Sequence, residues 1–208
     1  MVFHTVPLVI QRLFPQRIWS KNSEGNQVFL TFDDGPVPGV TDFVLQELSK
    51  RAMKATFFMV GDNVRKHSSL AKEVLSQGHQ LANHTFHHLN GWKTKREKYV
   101  QDFLACNQII EDQLGVQTKL FRPPYGLMTS AEAKEISKTH SIVMWNMLSG
   151  DYDLRLDAKV VLRKSIENTG PGSIVLFHDQ QKTNSVLPKI LPTYLDKLLD
   201  KGWTTATL

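Results

Sequence analysis

Gln27-Val28-Phe29-Leu30-Thr31-Phe32-Asp33-Asp34-Gly35-Pro36 is the most informative stretch of the chain. Its first six residues are apolar or β-branched, the pattern of a strand buried on both faces. Asp-Asp-Gly-Pro then ends it with turn chemistry. Two adjacent carboxylates at such a point are often only a turn. Their side chains diverge, however, so one can bind a cation while the other faces a reacting molecule.

Working outward, strand and helix patterns alternate. Residues 41–50 read as a helix and residues 55–60 as a strand. Residues 69–77 form a helix closed by Gly78, and residues 80–82 a short strand leading into Asn83-His84. The longest helix opens at Thr94 with the capping-box pattern Thr94-Lys95-Arg96-Glu97 and closes near Gly115. A short strand at 119–121 precedes Arg122-Pro123-Pro124-Tyr125-Gly126, and a second capping box, Thr129 to Glu132, opens another helix. Residues 141–147 read as a strand, 157–168 as a helix, 173–177 as a strand and 187–201 as a helix. Pro188 and Pro192 mark the first turn or a kink of that last helix. Residues 203–208 read as a final strand. About seven strands separated by helices give an α/β fold with a parallel sheet. A full eight-fold (β/α) barrel takes about 250 residues, so 208 residues fit an irregular barrel better. Residues 1–26 read as an N-terminal packing segment and residues 27–208 as one catalytic domain.

Composition excludes several classes. Hydrophobic residues make up 41% and charged residues 22%, an ordinary globular balance. The net charge of +5 is scattered apart from the run 93–98, so it supports no nucleic-acid partner. No stretch reaches the roughly 18 consecutive apolar residues of a membrane span. The apolar N-terminus lacks a basic leader and a small-residue cleavage site, so no signal peptide is recognisable and the location reads as cytoplasmic. Cys106 is the one cysteine; it lies in a helical stretch and reads as a small core residue.

The chemistry-bearing residues follow the strands. Asp33 and Asp34 follow the first strand, His84 the third, Arg122 the fourth, Asp151 the fifth and His178 the sixth. Parallel strands bring their C-terminal ends to one face, where such folds carry their sites. His84 and His88 are four apart; on a helical turn both imidazoles reach one cation. With a carboxylate from a neighbouring strand end they make a two-His, one-carboxylate set. His87 points elsewhere and reads as structural or solvent-facing. Arg122 and His178-Asp179 are ambiguous in isolation.

Together, Thr31-Phe32-Asp33-Asp34-Gly35-Pro36, His84-Thr85-Phe86-His87-His88, Arg122-Pro123-Pro124-Tyr125-Gly126, Asp151-Tyr152 and Leu176-Phe177-His178 resemble the polysaccharide deacetylases, carbohydrate esterase family 4. They stand in the family's order, and the likeness covers nearly the whole chain from Gln27. The resemblance implies a distorted (β/α) barrel and one divalent metal, usually zinc, sometimes cobalt or nickel, on Asp34, His84 and His88. It makes Asp33 the general base for the attacking water, oriented by Arg122, and the backbone N–H of Tyr125 an oxyanion donor. His178 becomes the general acid, kept charged by Asp151, and Leu176 lines the pocket for the acetyl methyl. Tyr125 and Tyr152 are further substrate-side residues. The fourth motif departs from the usual Asp-x-x-Asp-Trp: Leu148 stands for the first Asp and Tyr152 for Trp, which bears on the pocket wall and substrate choice.

The roles are chemically coherent. An amide carbonyl needs a polarising cation, its tetrahedral intermediate needs donors, and its amine leaves only when protonated. The expected substrate is an N-acetylglucosamine-containing glycan, and a cell-envelope substrate would imply export. Two alternatives remain: the same scaffold acting on another amide or ester (acetyl-xylan, a cyclic imide), or a silent carbohydrate-binding protein. The latter has no use for Asp33, Arg122 and His178. Trp92, Trp145, Tyr125 and Tyr152 are candidates for stacking on sugar, Tyr125 foremost.

Overall fold

The computed structural model describes residues 2–22 and 25–208; Met1, Ser23 and Glu24 of the N-terminal segment lie outside them. The strands are β1 (Gln27–Asp33), β2 (Ala55–Met59), β3 (Gln80–Asn83), β4 (Leu120–Phe121), β5 (Ser141–Ile142), β6 (Met147–Leu148), β7 (Ile174–His178) and β8 (Thr204–Thr205). The α-helices are α1 (Leu8–Leu13), α2 (Thr41–Ser49), α3 (Gly61–Lys66), α4 (Ser68–Ser76), α5 (Arg96–Leu114), α6 (Ser130–Ile136), α7 (Ala158–Asn168) and α8 (Leu187–Asp200). The sheet runs β5-β4-β3-β2-β1-β7-β6, and every pairing in it is parallel. β8 pairs with the first residues of β1. This is the irregular barrel expected from the alternation of elements. No helix among the described residues is long and apolar enough to cross a membrane.

Alternation of side chains along β1 divides the interior in two. Val28, Leu30 and Phe32 point outward into a core they share with Phe57, Phe177 and the inner faces of α2, α4 and α8. Phe29 points inward, toward Phe58, Val143 and Ile174. Thr31 and Asp33 follow Phe29 on that inner face, so the pleat that buries Phe32 also carries Asp33 into the barrel. Phe32 is fully buried and stacks on Phe57 at 5.2 Å and Phe177 at 6.0 Å.

Several local expectations need correction. The Thr94 capping box does not form: α5 begins at Arg96 after an extended Thr94 and Lys95, with no side-chain cap. Asn90 instead caps a 3-10 turn, Gly91–Lys93, by accepting from Trp92 N–H at 3.0 Å, and the chain leaves that turn extended. The Thr129–Glu132 box is present. Residues 141–147 are not one strand, because Arg122 takes the Val143 and Met144 carbonyls at 3.3 and 2.8 Å and bends the chain between β5 and β6. The last strand is only Thr204–Thr205. Helix α3 was not legible, since its six residues contribute only Gly61 and Val64 to the interior. Pro188 lies in the first turn of α8, and Pro192 sits inside the helix.

The N-terminal segment runs along the gap that the interrupted β5–β6 stretch leaves. Thr5 bridges Met147, Ile18 bridges Val143 and Ser20 bridges Ser173. Cys106 is fully buried, and burial pushes its thiol up to about 12, as suits an inert core residue.

Replacing Phe32 removes a ring from the centre of the outer core. Phe32→Ala is expected to lose about 3–5 kcal/mol of stability, and Phe32→Leu distinctly less, measured by urea unfolding.

Candidate active site

Register does the first part of the assembly. Asp33 on β1 lies level with His178 on β7 and Phe58 on β2; Met59 lies level with Asn83, and Asn83 with Phe121. The residues that follow β3 and β4, His84 and Arg122, therefore emerge beside Asp33. They open into a cleft of about 770 Å³ lined by Asp33, Asp34, His84, His88, Tyr125 and His178, among others.

Arg122 is fully buried, and each of its three guanidinium nitrogens donates a hydrogen bond. Nη1 donates to Asp33 Oδ1 at 2.6 Å and to Thr31 Oγ1 at 2.8 Å, while Nε and Nη2 serve the two carbonyls beyond β5. The guanidinium also lies 4.0 Å over the Phe58 ring. Asp33 is thus fixed by one oxygen, and its other oxygen lies 3.6 Å from His84 Nε2.

Asp34, His84 and His88 place one ligand atom each within 4.8 Å of one another. Asp34 Oδ1 lies 3.0 Å from His88 Nε2 and 3.4 Å from His84 Nε2, yet it is buried without a directed hydrogen bond. The carboxylate oxygen and the ring nitrogens are thus close enough together to share one cation. His84 Nδ1 sits 2.7 Å from the Arg122 carbonyl, which fixes that nitrogen as the N–H and leaves Nε2 with a lone pair. Burial alone would raise the Asp34 pKa; the neighbouring imidazoles of His84 and His88 and the charge of His178 outweigh it and hold the carboxyl well below the usual range. A borderline divalent cation fits this set of one carboxylate and two imidazoles.

The two histidines do not share a helical turn. Asp34, Thr85, His88 and Tyr125 all have positive φ, of 82°, 62°, 55° and 61°. The 84–88 loop is held by polar side chains: Asn83 Oδ1 accepts from Thr85 N–H, and Asp102 accepts from the Phe86 and His87 N–H groups. His87 turns away, its Nδ1 2.5 Å from Asp102 Oδ1 and its ring largely exposed, as read from the sequence.

On the opposite wall, Asp151 is fully buried and meets His178 twice: Oδ2 accepts from the backbone N–H and Oδ1 lies 2.8 Å from Nδ1. Burial by itself would lower the His178 pKa. Asp151, with Asp34 and Asp33 farther off, overcomes this and holds it at about 9. Nε2 is left to face the cleft. Leu176 lines the cleft beneath, and Tyr152 packs edge-on against His178 at 5.2 Å. Tyr125 is 61% exposed and rests on His88 at 4.7 Å. Gly126 behind it has φ +71°, and a Cβ there would lie 2.8 Å from the Trp145 ring, so only glycine fits.

The sequence missed three supports. Thr31 sits beneath Arg122, and Asn63 on α3 donates to the Asp34 carbonyl at 2.7 Å. Asp179 accepts from Gly35 N–H and Thr41 Oγ1, at 3.1 and 2.6 Å, and holds the turn that aims Asp34. A Cβ on Gly35 would lie 2.1 Å from Asp179 Oδ2. Burial and the Asp34 charge push the Asp179 carboxyl up to about 7, against those two hydrogen bonds. The adjacent pair His178-Asp179 was the only trace of this in the sequence.

The polysaccharide deacetylase family model matches residues 20–144. The chain belongs to the polysaccharide deacetylase family. It is 34% identical over 188 residues to the peptidoglycan-N-acetylglucosamine deacetylase PgdA of Listeria monocytogenes, covering 90% of this chain and 39% of that one. A Bacillus cereus peptidoglycan-N-acetylglucosamine deacetylase is 33% identical, with 84% of each chain covered. Among solved structures, the Bc1960 peptidoglycan N-acetylglucosamine deacetylase in complex with 4-naphthalen-1-yl-N-oxidanyl-benzamide aligns with a TM-score of 0.81 at 30% identity. That match covers 93% of this chain and 91% of the other. This polysaccharide deacetylase domain thus spans about two fifths of the Listeria relative's length.

A titration separates the two histidine roles. Metal-stripped protein is expected to take up one zinc per chain, measured calorimetrically. His84→Gln and Asp34→Asn should each lose at least tenfold in affinity, while His87→Gln should bind as the parent does.

Proposed function

We propose that the chain is a metal-dependent hydrolase that removes the acetyl group from an N-acetylglucosamine-containing glycan. The observation that carries this reading is the pair of opposed, separately supported groups, Asp33 on Arg122 and His178 on Asp151, flanking the Asp34-His84-His88 set. The relatives named as peptidoglycan-N-acetylglucosamine deacetylases supply the acetylated sugar as substrate class. A silent sugar-binding protein would have no use for both pairs.

Asp34, His84 and His88 would hold the cation, zinc by donor type, with cobalt or nickel as substitutes. When bound, it supplies Lewis acidity toward the amide carbonyl and the attacking water. The chain's own groups do the rest. Asp33, with one oxygen committed to Arg122, uses the other to take the proton of the attacking water. The carbonyl oxygen, as it becomes an oxyanion, receives the Tyr125 backbone N–H. His178, its Nδ1 engaged by Asp151, delivers the Nε2 proton to the departing nitrogen. Leu176 gives the acetyl methyl an apolar seat, and Tyr152 walls the acid side.

The reading is tested by acetate release from N-acetylglucosamine oligomers by metal-stripped protein, before and after zinc or cobalt. Release should require metal and fall about 10²- to 10⁴-fold in Asp33→Asn. Turnover of acetylated xylan or a cyclic imide, with none of the oligomers, would sink the glucosamine reading.

The acid gives a pH signature. His178 must be protonated, so activity should decline as pH rises toward about 9, and a bound cation will draw this limb lower. Asp151→Asn removes the main support of the charged ring and leaves burial unopposed. Its alkaline limb in a pH–kcat profile should move to lower pH.

A further inference from the structure

Lys182 lines the cleft and has no part in the reaction just described. It stands on a 3-10 turn, Gln181–Ser185, that follows His178 closely. The buried Thr183 pins this turn by donating from Oγ1 to the His178 carbonyl at 2.6 Å, with the Gln180 carbonyl at 2.9 Å. The lysine is thus presented from a fixed base. Its ammonium lies 5.7 Å from the Tyr152 ring centroid, and that ring packs at 5.2 Å on His178. These contacts put the Lys182 ammonium on the His178 side of the cleft, next to Tyr152.

The charges around it are uneven. Among the described residues no carboxylate lies within ion-pair distance of Lys182, although exposed lysines and arginines elsewhere pair freely, as Lys197 does with Asp200 and Arg163 with Glu167. The acidic side chains that line the cleft are Asp33 and Asp34, and both face other partners, Arg122 and the two imidazoles. Besides the cationic His178, the cleft is lined by neutral side chains that include Leu148, Leu176, Trp145, Gln180 and Gln181. A cation on a fixed turn, without an internal counter-charge and lining a substrate cleft, complements an anion that arrives with the substrate.

We infer that Lys182 is a specificity-determining residue that reads a carboxylate carried on the glycan, such as the lactyl ether acid of a muramic residue. The enzyme then prefers an acid-bearing acetylated glycan to a neutral chitin-type oligomer. This rests on the deacetylase reading above.

The test compares three substrates of equal length: an oligosaccharide containing N-acetylmuramic acid, the same compound with its carboxylate converted to the amide, and the neutral N-acetylglucosamine oligomer. Each is assayed by acetate release with the zinc-loaded parent, Lys182→Gln and Lys182→Glu. On the free acid, Lys182→Gln should raise KM roughly three- to five-fold at unchanged kcat, the size of a solvent-exposed ion pair, and Lys182→Glu should raise it further. Amidation should cause the same loss in the parent and leave Lys182→Gln indifferent to it; the neutral oligomer should be unaffected by either substitution. High salt should narrow the difference. Equal losses on acid and neutral substrates, or no loss on either, overturn the inference. Absence of acetate release from all three counts against the deacetylase reading instead. In that case, equilibrium binding of the acid against its amide, by parent and Lys182→Gln, still decides the role of Lys182.

Discussion

Arg122 is the point on which the site is hung. A guanidinium with no solvent exposure is costly to bury unless its donors are satisfied, and here they reach β1 through Thr31 and Asp33 and the bend beyond β5 through two carbonyls. Loss of either charge would leave the other stranded, so the barrel wall, the bend and Asp33 are fixed together. The same residue reaches the metal-type site through its own carbonyl, which meets His84 Nδ1 and sets the tautomer of that ring.

Around this anchor the work is divided between strands and loops. Parallel register levels Asp33 with His178 and needs no special backbone. The loops do need it. Of the five non-glycine residues with positive φ among the described residues, four, Asp34, Thr85, His88 and Tyr125, lie at the site. Such conformations cost energy in L-residues and persist where surrounding bonds dictate them. For the Asp34–Gly35 turn and the 84–88 loop, Asp179, Asn63, Asn83 and Asp102 supply such bonds to backbone groups.

Opposite walls of the cleft also carry opposite electrostatic tasks. Asp34 is kept a carboxylate beside two imidazoles, while Asp151 keeps His178 a cation against the pull of its burial. The two walls also act on each other: the His178 charge helps hold Asp34 low, and Asp34 and Asp33 help hold His178 protonated. Asp179, behind the turn, is held up near 7 by burial and the Asp34 charge.

The alternation of strands and helices was legible because a parallel strand buried on both faces leaves an apolar run, as in residues 27–32, that few other structures tolerate. It also placed Asp33, Asp34, His84, Arg122 and His178 on one face, since parallel strands end together. Where tertiary contacts overrode local pattern, the sequence misled: Thr94 had the capping-box residues, but Asn90 and the Gly91–Lys93 turn set where α5 begins. Residues 141–147 had strand composition, but Arg122 claimed their carbonyls. The His84–His88 spacing suggested a helical turn, whereas Thr85 and His88 bend the loop to the left-handed side. The sequence by itself determined the order of elements and which strand ends carry the chemical groups, because those follow from burial period and chain direction. Only the tertiary structure decided which atom faces which, because that depends on side chains such as Asp179 and Asp102 that arrive from elsewhere in the chain and leave no periodic trace in it.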